Sequence, residues 1–190
     1  MSELLSVAVL GSTGYVGLEL VKLLTNHPNI KINFLGSENS ANLNISQINT
    51  DIKINLPKID LNENFEPKNF DIVFLCLPHG VSHKYVKKLF NKVKIIDLSA
   101  DFRLDDKYTY LENYNSEHSC NELLNKFTYS IPEINKSSIK KSSNLAIPGC
   151  YPTSILTPLI PLLKNKLIDP NEIIIDSKSG YSGAGKKFNL

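Results

Sequence analysis

One cysteine of the chain lies where a reactive thiol is expected, in the stretch "LAIPGCYPTS". Cys150 follows a Pro-Gly turn and directly precedes a predicted helix. The positive end of a helix dipole stabilises an anion, so a thiolate is favoured at that position. A thiolate can attack an acyl carbon and form a thioester. We therefore predict that Cys150 is a nucleophile, with buried packing as the alternative.

A second candidate site is the glycine-rich stretch "VAVLGSTGYVGLEL" near the N-terminus. Gly11, Gly14 and Gly17 follow a predicted strand and open a predicted helix. Glycines in this setting allow a tight turn and a close approach of the backbone to a pyrophosphate, which the helix N-terminus then stabilises. Glu38 lies about 20 residues further on, where an acid can hold a ribose hydroxyl. The alternatives are a merely structural turn and a solvated acid in a loop.

A dinucleotide loop and a nucleophilic thiol together predict hydride transfer between a nicotinamide and a thioester. The other two cysteines fit this chemistry less well. Cys76 lies inside an apolar strand and is predicted to belong to the core, and Cys120 is predicted to be a partly exposed loop residue. The three cysteines form no CxxC pair, which argues against a disulfide framework and a zinc site, and we predict no metal.

The composition excludes several other classes of function. The chain has 190 residues, 42% of them hydrophobic, and a formal net charge of +2. Without a concentrated basic face, neither nucleic acid nor an anionic membrane is an expected partner. The longest apolar runs are too short to span a bilayer, and the N-terminus has an acid where a signal peptide carries basic residues. We expect a cytoplasmic protein.

The periodicity predicts an α/β fold, a Rossmann-like doubly wound parallel sheet followed by the start of a second α+β domain. Strands are expected at "LLSVAVL", "KINFLGS", "FDIVFLCLP", "VKIIDLS" and "SNLAIPGC", and helices at "YVGLELVKLLTNHP" and "HGVSHKYVKKLFNK". A further strand is expected at residues 172–176, and short strands are left open around "DIKINL". Pro158 and Pro161 are expected in the first turns of the helix after Cys150, or at a kink. We divide the chain into a dinucleotide-binding domain, residues 1–149, and the beginning of a catalytic and dimerisation domain, residues 150–190.

With these residues in view, the chain resembles the N-acetyl-gamma-glutamyl-phosphate reductases of arginine biosynthesis, within the semialdehyde dehydrogenase superfamily. The resemblance covers nearly the whole chain and rests on "GSTGYVGLEL", "VFLCLPHGVSH", "IIDLSADFRL", "IPGCYPT" and "SGYSGAGKK". The most specific of these is "PGCYPT", because aspartate-semialdehyde dehydrogenases usually have an Asn-Cys pair there. The resemblance implies reduction of an acyl phosphate by NADPH to a semialdehyde, with release of inorganic phosphate.

Roles for individual residues also follow from the resemblance. Cys150 is the implied nucleophile, and Arg103, His79 and Ser99 are implied to bind the substrate, with Arg103 on its phosphate. The residues implied to contact the cofactor are Gly11, Ser12, Thr13, Gly14, Tyr15, Gly17, Ser37, Pro78, Ser182, Gly183 and Gly185.

The sequence departs from the family in two ways. The family usually has an arginine for the 2′-phosphate of NADP after the serine that ends the second strand, where this chain has Ser37-Glu38. NADP is the implied cofactor, and NAD stays open beside it. Family members also continue well beyond the "GYSGAGKK" loop, and no histidine here matches the family's general acid/base. We therefore expect a fragment with weak or absent turnover, and a homo-oligomer at full length.

Three interpretations remain open at this stage. The first is the arginine-pathway reductase. The second is another acyl-phosphate or aldehyde dehydrogenase with the same cysteine chemistry, such as one that acts on aspartyl phosphate. The third is a dinucleotide-binding module without catalysis, which acts as a cofactor sensor or pairs with a separate C-terminal chain.

Overall fold

Seven parallel strands form one sheet in the computed structural model of the chain, which describes residues 3–185. Every pair of neighbouring strands runs parallel, in the order β3-β2-β1-β4-β5-β7-β6. The strands are Leu5–Leu10 (β1), Ile30–Ser37 (β2), Ile59–Leu61 (β3), Ile72–Leu75 (β4), Lys94–Asp97 (β5), Thr128–Tyr129 (β6) and Asn144–Ala146 (β7).

Six α-helices and three 3₁₀ turns connect and flank these strands in the described part of the chain. The helices are Tyr15–Thr25 (α1), Ile45–Ile48 (α2), Ser82–Leu89 (α3), Lys107–Tyr114 (α4), Pro132–Lys141 (α5) and Cys150–Lys164 (α6). The 3₁₀ turns are Asn62–Asn64, Asn121–Lys126 and Tyr181–Ala184. Within residues 3–185, no helix combines the length and the apolar character that crossing a bilayer would require.

The sheet is buried on both faces, as the predicted doubly wound fold requires. Val7 and Val9 of β1 belong to a core cluster that also contains residues of α1. Ala8 and Leu10, which alternate with them, belong to a second cluster that contains residues of α3. Successive side chains of a strand point to opposite faces, so α1 and α3 cover opposite sides of the sheet. The sequence-based prediction of the fold class is confirmed.

The segment at residues 172–176 corrects one element of that prediction, since it is not a strand. It is an exposed stretch outside the sheet, and Ile174 is 98% exposed. A strand needs a neighbour for its N–H and C=O groups, and no strand of the described chain pairs with this segment. Its apolar run alone was therefore not enough to make it a strand.

Two smaller expectations also change. The region around "DIKINL" forms no strand, and β3 lies a few residues later. Pro158 and Pro161 lie inside α6, well beyond its first turn. A proline supplies no N–H to the carbonyl four residues earlier, so the helix lacks two of its backbone hydrogen bonds.

The strand order places the functional candidates at one edge of the sheet. β1 lies between β2 and β4, so the connections that leave β1 and β4 pass to opposite sides. In open α/β sheets, ligands bind at such a switch point, beyond the carboxyl ends of the strands. The loops after β1, β4, β5 and β7 all leave from this edge.

Candidate active site

Tight packing inside the protein explains two of the three glycines in the loop after β1. A Cβ on Gly11 would collide with the carbonyl oxygen of Cys76, and a Cβ on Gly17 would collide with the carbonyl oxygen of Gly11. Gly11 also has a φ of +75°, a conformation that disfavours side chains. These two glycines allow the loop after β1, the start of α1 and the end of β4 to approach one another closely.

Gly14 has no such internal reason to be glycine. Its φ is −70°, and the nearest atom to an added Cβ is the carbonyl oxygen of Gly11 at 3.5 Å, an ordinary contact. Gly14 precedes α1, and no side-chain hydrogen bond caps that helix. An uncapped N-terminus beside a bare backbone suits a phosphate group. The loop therefore fits the pyrophosphate of a dinucleotide.

The hydroxyl residues of the loop have different surroundings. Ser12 is fully buried, and both its backbone N–H and its Oγ donate to the carbonyl oxygen of Gly36, at 2.8 and 2.9 Å. Thr13 Oγ1 lies 2.8 Å from Ser37 Oγ, which joins the loop to the end of β2. The donors of Ser12 are thus engaged with β2, and its contact with a phosphate stays a prediction. Thr13, Tyr15 and Ser37 stay predicted cofactor contacts.

Sequence analysis missed Asn62, which holds this loop in place. Asn62 is 1% exposed, and its Oδ1 accepts from the Gly11 N–H at 3.0 Å. Its Nδ2 donates to Glu38 Oε1 at 2.9 Å. The residue lies in a 3₁₀ turn after β3, within a stretch without clear periodicity, so nothing in its spacing identified it.

The loop after β4 carries Pro78, which is exposed, and His79, whose side chain is exposed only in part. The Ala100 N–H donates to His79 Nδ1 at 2.9 Å, so a neutral ring carries its proton on Nε2. Partial burial lowers the pKa of His79, and the charge of Arg103 lowers it further, whereas Asp101 acts in the opposite direction. His79 thus presents a neutral Nε2–H donor, and its contact with substrate stays a prediction.

Ser99, which is predicted to bind the substrate, is buried in the loop after β5. It is 1% exposed, and its Oγ donates to Asp97 Oδ2 at 2.8 Å and accepts from the Asp101 N–H at 3.1 Å. Asp101 is fully buried, and its carboxylate accepts from the N–H groups of Gly80, at 2.7 Å, and His83, at 3.1 Å. The hydroxyl of Ser99 thus orders the loop after β5, and its contact with substrate stays a prediction.

Arg103 is fixed at the ends of two neighbouring strands. Its Nε donates to the carbonyl oxygen of Ile147 at 2.8 Å, and its Nη2 donates to that of Leu98 at 3.0 Å. A Cβ on Gly149 would lie 3.1 Å from Nη1. The guanidinium is therefore held in one orientation, with Nη1 beside the turn that precedes Cys150, where it can bind an anion.

Cys150 is exposed and is the first residue of α6, with its Sγ 3.7 Å from Ser179 Oγ. The other thiols are shielded. Burial raises the pKa of Cys76 to about 12, with a further contribution from the charge of Asp97. Cys120 is fully buried, against the expectation of a partly exposed loop residue, and this burial raises its pKa. Of the three cysteines, Cys150 is the exposed one, whereas Cys76 is only partly exposed and Cys120 is buried.

The segment before the C-terminus approaches the thiol through its serines. Besides the contact of Ser179 with Cys150, Ser177 Oγ lies 3.0 Å from Ser154 Oγ of α6. The predicted cofactor residues of this segment, Ser182, Gly183 and Gly185, follow in and directly after the 3₁₀ turn. Their contact with a cofactor stays a prediction. Within residues 3–185, no group of three or more His, Cys, Asp or Glu side chains could hold a metal ion.

Two family models match nearly all of the chain. The model described as "Semialdehyde dehydrogenase, NAD binding domain" matches residues 6–142. The model described as "Semialdehyde dehydrogenase, dimerisation domain" matches residues 150–190.

Curated relatives with high identity share one name, N-acetyl-gamma-glutamyl-phosphate reductase. The protein from Ehrlichia canis is 48% identical over 98% of this chain and 54% of its own length. The protein from Caldicellulosiruptor bescii is 46% identical over 98% of this chain and 55% of its own length. The chain thus spans about half the length of the curated relatives that it matches.

Solved structures show the same fold at lower identity. An aspartate semialdehyde dehydrogenase II from Vibrio cholerae, complexed with ASA, superposes with a TM-score of 0.63 at 20% identity, over 85% of this chain and 47% of the other. An aspartate semialdehyde dehydrogenase with NADP from Candida albicans gives a TM-score of 0.60 at 19% identity, over 86% and 48% of the two chains. At these identities the likeness concerns the fold alone.

Proposed function

The chain belongs to the semialdehyde dehydrogenase family, and from that premise we propose that its protein reduces N-acetyl-gamma-glutamyl phosphate to the semialdehyde and releases phosphate. The observation that carries the proposal is the location of Cys150, exposed at the N-terminus of α6 beside the fixed guanidinium of Arg103. A nucleophile and an anion-binding group are what the acyl carbon and the phosphate of such a substrate require.

In the proposed reaction, the Cys150 thiolate forms a bond to the acyl carbon. The bond between that carbon and the phosphate oxygen breaks, and phosphate leaves with the bonding electrons. Arg103 binds the phosphate and stabilises its charge as it departs. Hydride addition to the thioester carbon would give the alkoxide of a thiohemiacetal on Cys150, and its collapse would release the aldehyde and restore the thiolate.

The cofactor supplies a hydride to the thioester carbon when it is bound. The glycine loop and the N-terminus of α1 would hold its pyrophosphate, for which the bare backbone at Gly14 leaves room. The resemblance implies NADPH as the donor, and NADH stays open because of Glu38. A cytoplasmic location, a homo-oligomer and the division at residues 149 and 150 belong to the same proposal.

The experiment is the oxidative half-reaction of the purified chain with N-acetylglutamate semialdehyde and either NADP⁺ or NAD⁺, without phosphate. The proposal predicts one equivalent of reduced cofactor and an acyl adduct on Cys150, detected by intact mass. Added phosphate should discharge the adduct. Cys150→Ser should form neither product, and Cys76→Ser, as the matched control, should form both. An adduct on another residue, or an adduct that still forms in Cys150→Ser, would contradict the proposal.

A further inference from the structure

Asn62 connects the glycine loop to the acid that follows β2. Its carboxamide oxygen accepts from the Gly11 N–H, so its nitrogen must be the atom that faces Glu38. Asn62 is almost fully buried and cannot turn toward solvent. The contact of 2.9 Å between Nδ2 and Glu38 Oε1 is therefore tied to the conformation of the loop.

Tyr85 of α3 donates a second hydrogen bond to the same oxygen. Its hydroxyl lies 3.3 Å from Glu38 Oε1. Burial raises the pKa of Tyr85 to about 12, with a further contribution from the charge of Glu38, so the hydroxyl keeps its proton. Both bonds fall on Oε1, and Oε2 is the oxygen that can accept from a ligand.

Glu38 also occupies the position at which such a sheet binds the adenosine ribose. It directly follows Ser37, the last residue of β2, whose hydroxyl contacts Thr13 of the glycine loop. A carboxylate there accepts from the ribose hydroxyls of NAD, whereas NADP requires a cation for its 2′-phosphate. Within the described residues, no lysine or arginine forms an ion pair with Glu38.

From these contacts we infer that Asn62 and Tyr85 are positioning residues that hold Glu38 for the ribose hydroxyls, so the site takes NAD(H) in preference to NADP(H). The inference rests on the proposed function for the presence of a dinucleotide. A 2′-phosphate beside Glu38 would meet a carboxylate that two donors hold in place, and the two negative charges would repel each other. A glutamate without these hydrogen bonds could rotate away from the phosphate, but Asn62 and Tyr85 hold the carboxylate of Glu38 in place.

The test is a fluorescence titration of the purified chain with NADH and with NADPH, which needs no turnover. We expect at least tenfold tighter binding of NADH. Glu38→Gln should reduce this ratio to about threefold or less, mainly through tighter binding of NADPH. Glu63→Gln removes a neighbouring exposed acid and should leave the ratio unchanged.

Tyr85→Phe separates positioning from a merely structural role, because it keeps the ring and removes only the donor. It should lower the ratio severalfold in the wild-type background and leave it unchanged in the Glu38→Gln background, with the same melting temperature. Equal affinities or tighter NADPH binding in the wild-type chain would overturn this inference alone. Failure to bind either dinucleotide would overturn the proposed function as well.

Discussion

The guanidinium of Arg103 lies against Gly149, the residue that precedes Cys150, with Nη1 3.1 Å from the point where a Cβ would stand. Two backbone carbonyls hold the guanidinium in this position, those of Leu98 and Ile147. The proposed anion-binding group and the proposed nucleophile are thus positioned by the ends of neighbouring strands. Their relative position depends on the sheet and on a glycine between them.

Gly149→Ala should disturb this arrangement without unfolding the protein. The new methyl group would press on a guanidinium that cannot retreat without losing a hydrogen bond, so we expect a loss of about 1–2 kcal/mol in the free energy of unfolding. Inorganic phosphate should slow the alkylation of Cys150 in the wild-type chain, and this protection should weaken severalfold in the variant. Gly180→Ala is the control, because nothing lies within 4 Å of its Cβ position. Full protection in Gly149→Ala would contradict the role of Arg103.

The glycine loop predicts opposite results for two substitutions. Gly11→Ala puts a side chain at φ +75° and against the backbone of Cys76, so we expect a loss of about 3 kcal/mol or more in stability. Gly14→Ala meets only an ordinary contact at 3.5 Å and should change stability by no more than about 0.5 kcal/mol.

For Gly14→Ala, dinucleotide affinity is the quantity that should change. The methyl group of Gly14→Ala would occupy the space for the pyrophosphate, and we expect affinity to fall at least tenfold while the urea unfolding curve stays at its wild-type midpoint. Calorimetric titration and urea unfolding measure the two quantities. Unchanged affinity in a folded Gly14→Ala would show that the phosphates bind elsewhere.

The three thiols should differ widely in their rates of alkylation. Cys150 is exposed, Cys120 is fully buried, and the pKa of Cys76 is raised to about 12. At pH 8 we expect iodoacetamide to label Cys150 at least tenfold faster than the others, because the thiolate is the reacting form and must be accessible. Peptide mass spectrometry measures the rates, and unfolding in guanidinium should make the three similar. Faster labelling of Cys76 in the folded chain would refute the assignment.

Stability should decrease in mild acid through His118. Burial lowers the pKa of this histidine from its ordinary value of 6.5, with a further contribution from His83. The unfolded chain then binds the proton more readily than the folded one, so this contribution is present above about pH 6.5 and is lost as pH falls below it. Asp97 acts in the opposite direction, because burial raises its pKa to about 6.

Comparison of the wild type with His118→Gln isolates the contribution of His118 to the pH dependence of stability. His118→Gln should be less stable than the wild type at pH 7.5, by about 1–2 kcal/mol, since its ring contacts with Phe102 and Tyr110 are lost. It should nevertheless lose less stability than the wild type between pH 7.5 and 5.5. Asp97 is present in both proteins, so its contribution cancels in the difference between them. Exposed His27, changed to Gln, serves as the control. Parallel pH profiles for wild type and His118→Gln would contradict this account.

Features that depend on periodic or neighbouring residues, such as the strands and the glycine loop, could be predicted from the sequence. The continuous apolar run "FDIVFLCLP" is typical of a strand that is buried on both faces, and the glycine spacing identified the loop that Gly11 and Gly17 form. Contacts between distant segments could not be predicted in this way. Asn62 meets Gly11 across 51 positions, and the burial of Ser99 comes from residues packed around it in three dimensions. The prediction of a strand at residues 172–176 was wrong because a strand requires a neighbouring strand for its backbone hydrogen bonds.

The interior prolines of α6 and its exposure have a consequence for how the chain opens locally. No residue of α6 is buried, whereas Val7 and Val9 of β1 are fully buried. Pro158 and Pro161 also remove two backbone donors from the helix. Amide hydrogens of α6 should therefore exchange with deuterium through partial opening, at a lower free energy than those of β1, which exchange only when the sheet unfolds. The helix that begins at Cys150 is then expected to open as a cooperative unit separate from the sheet.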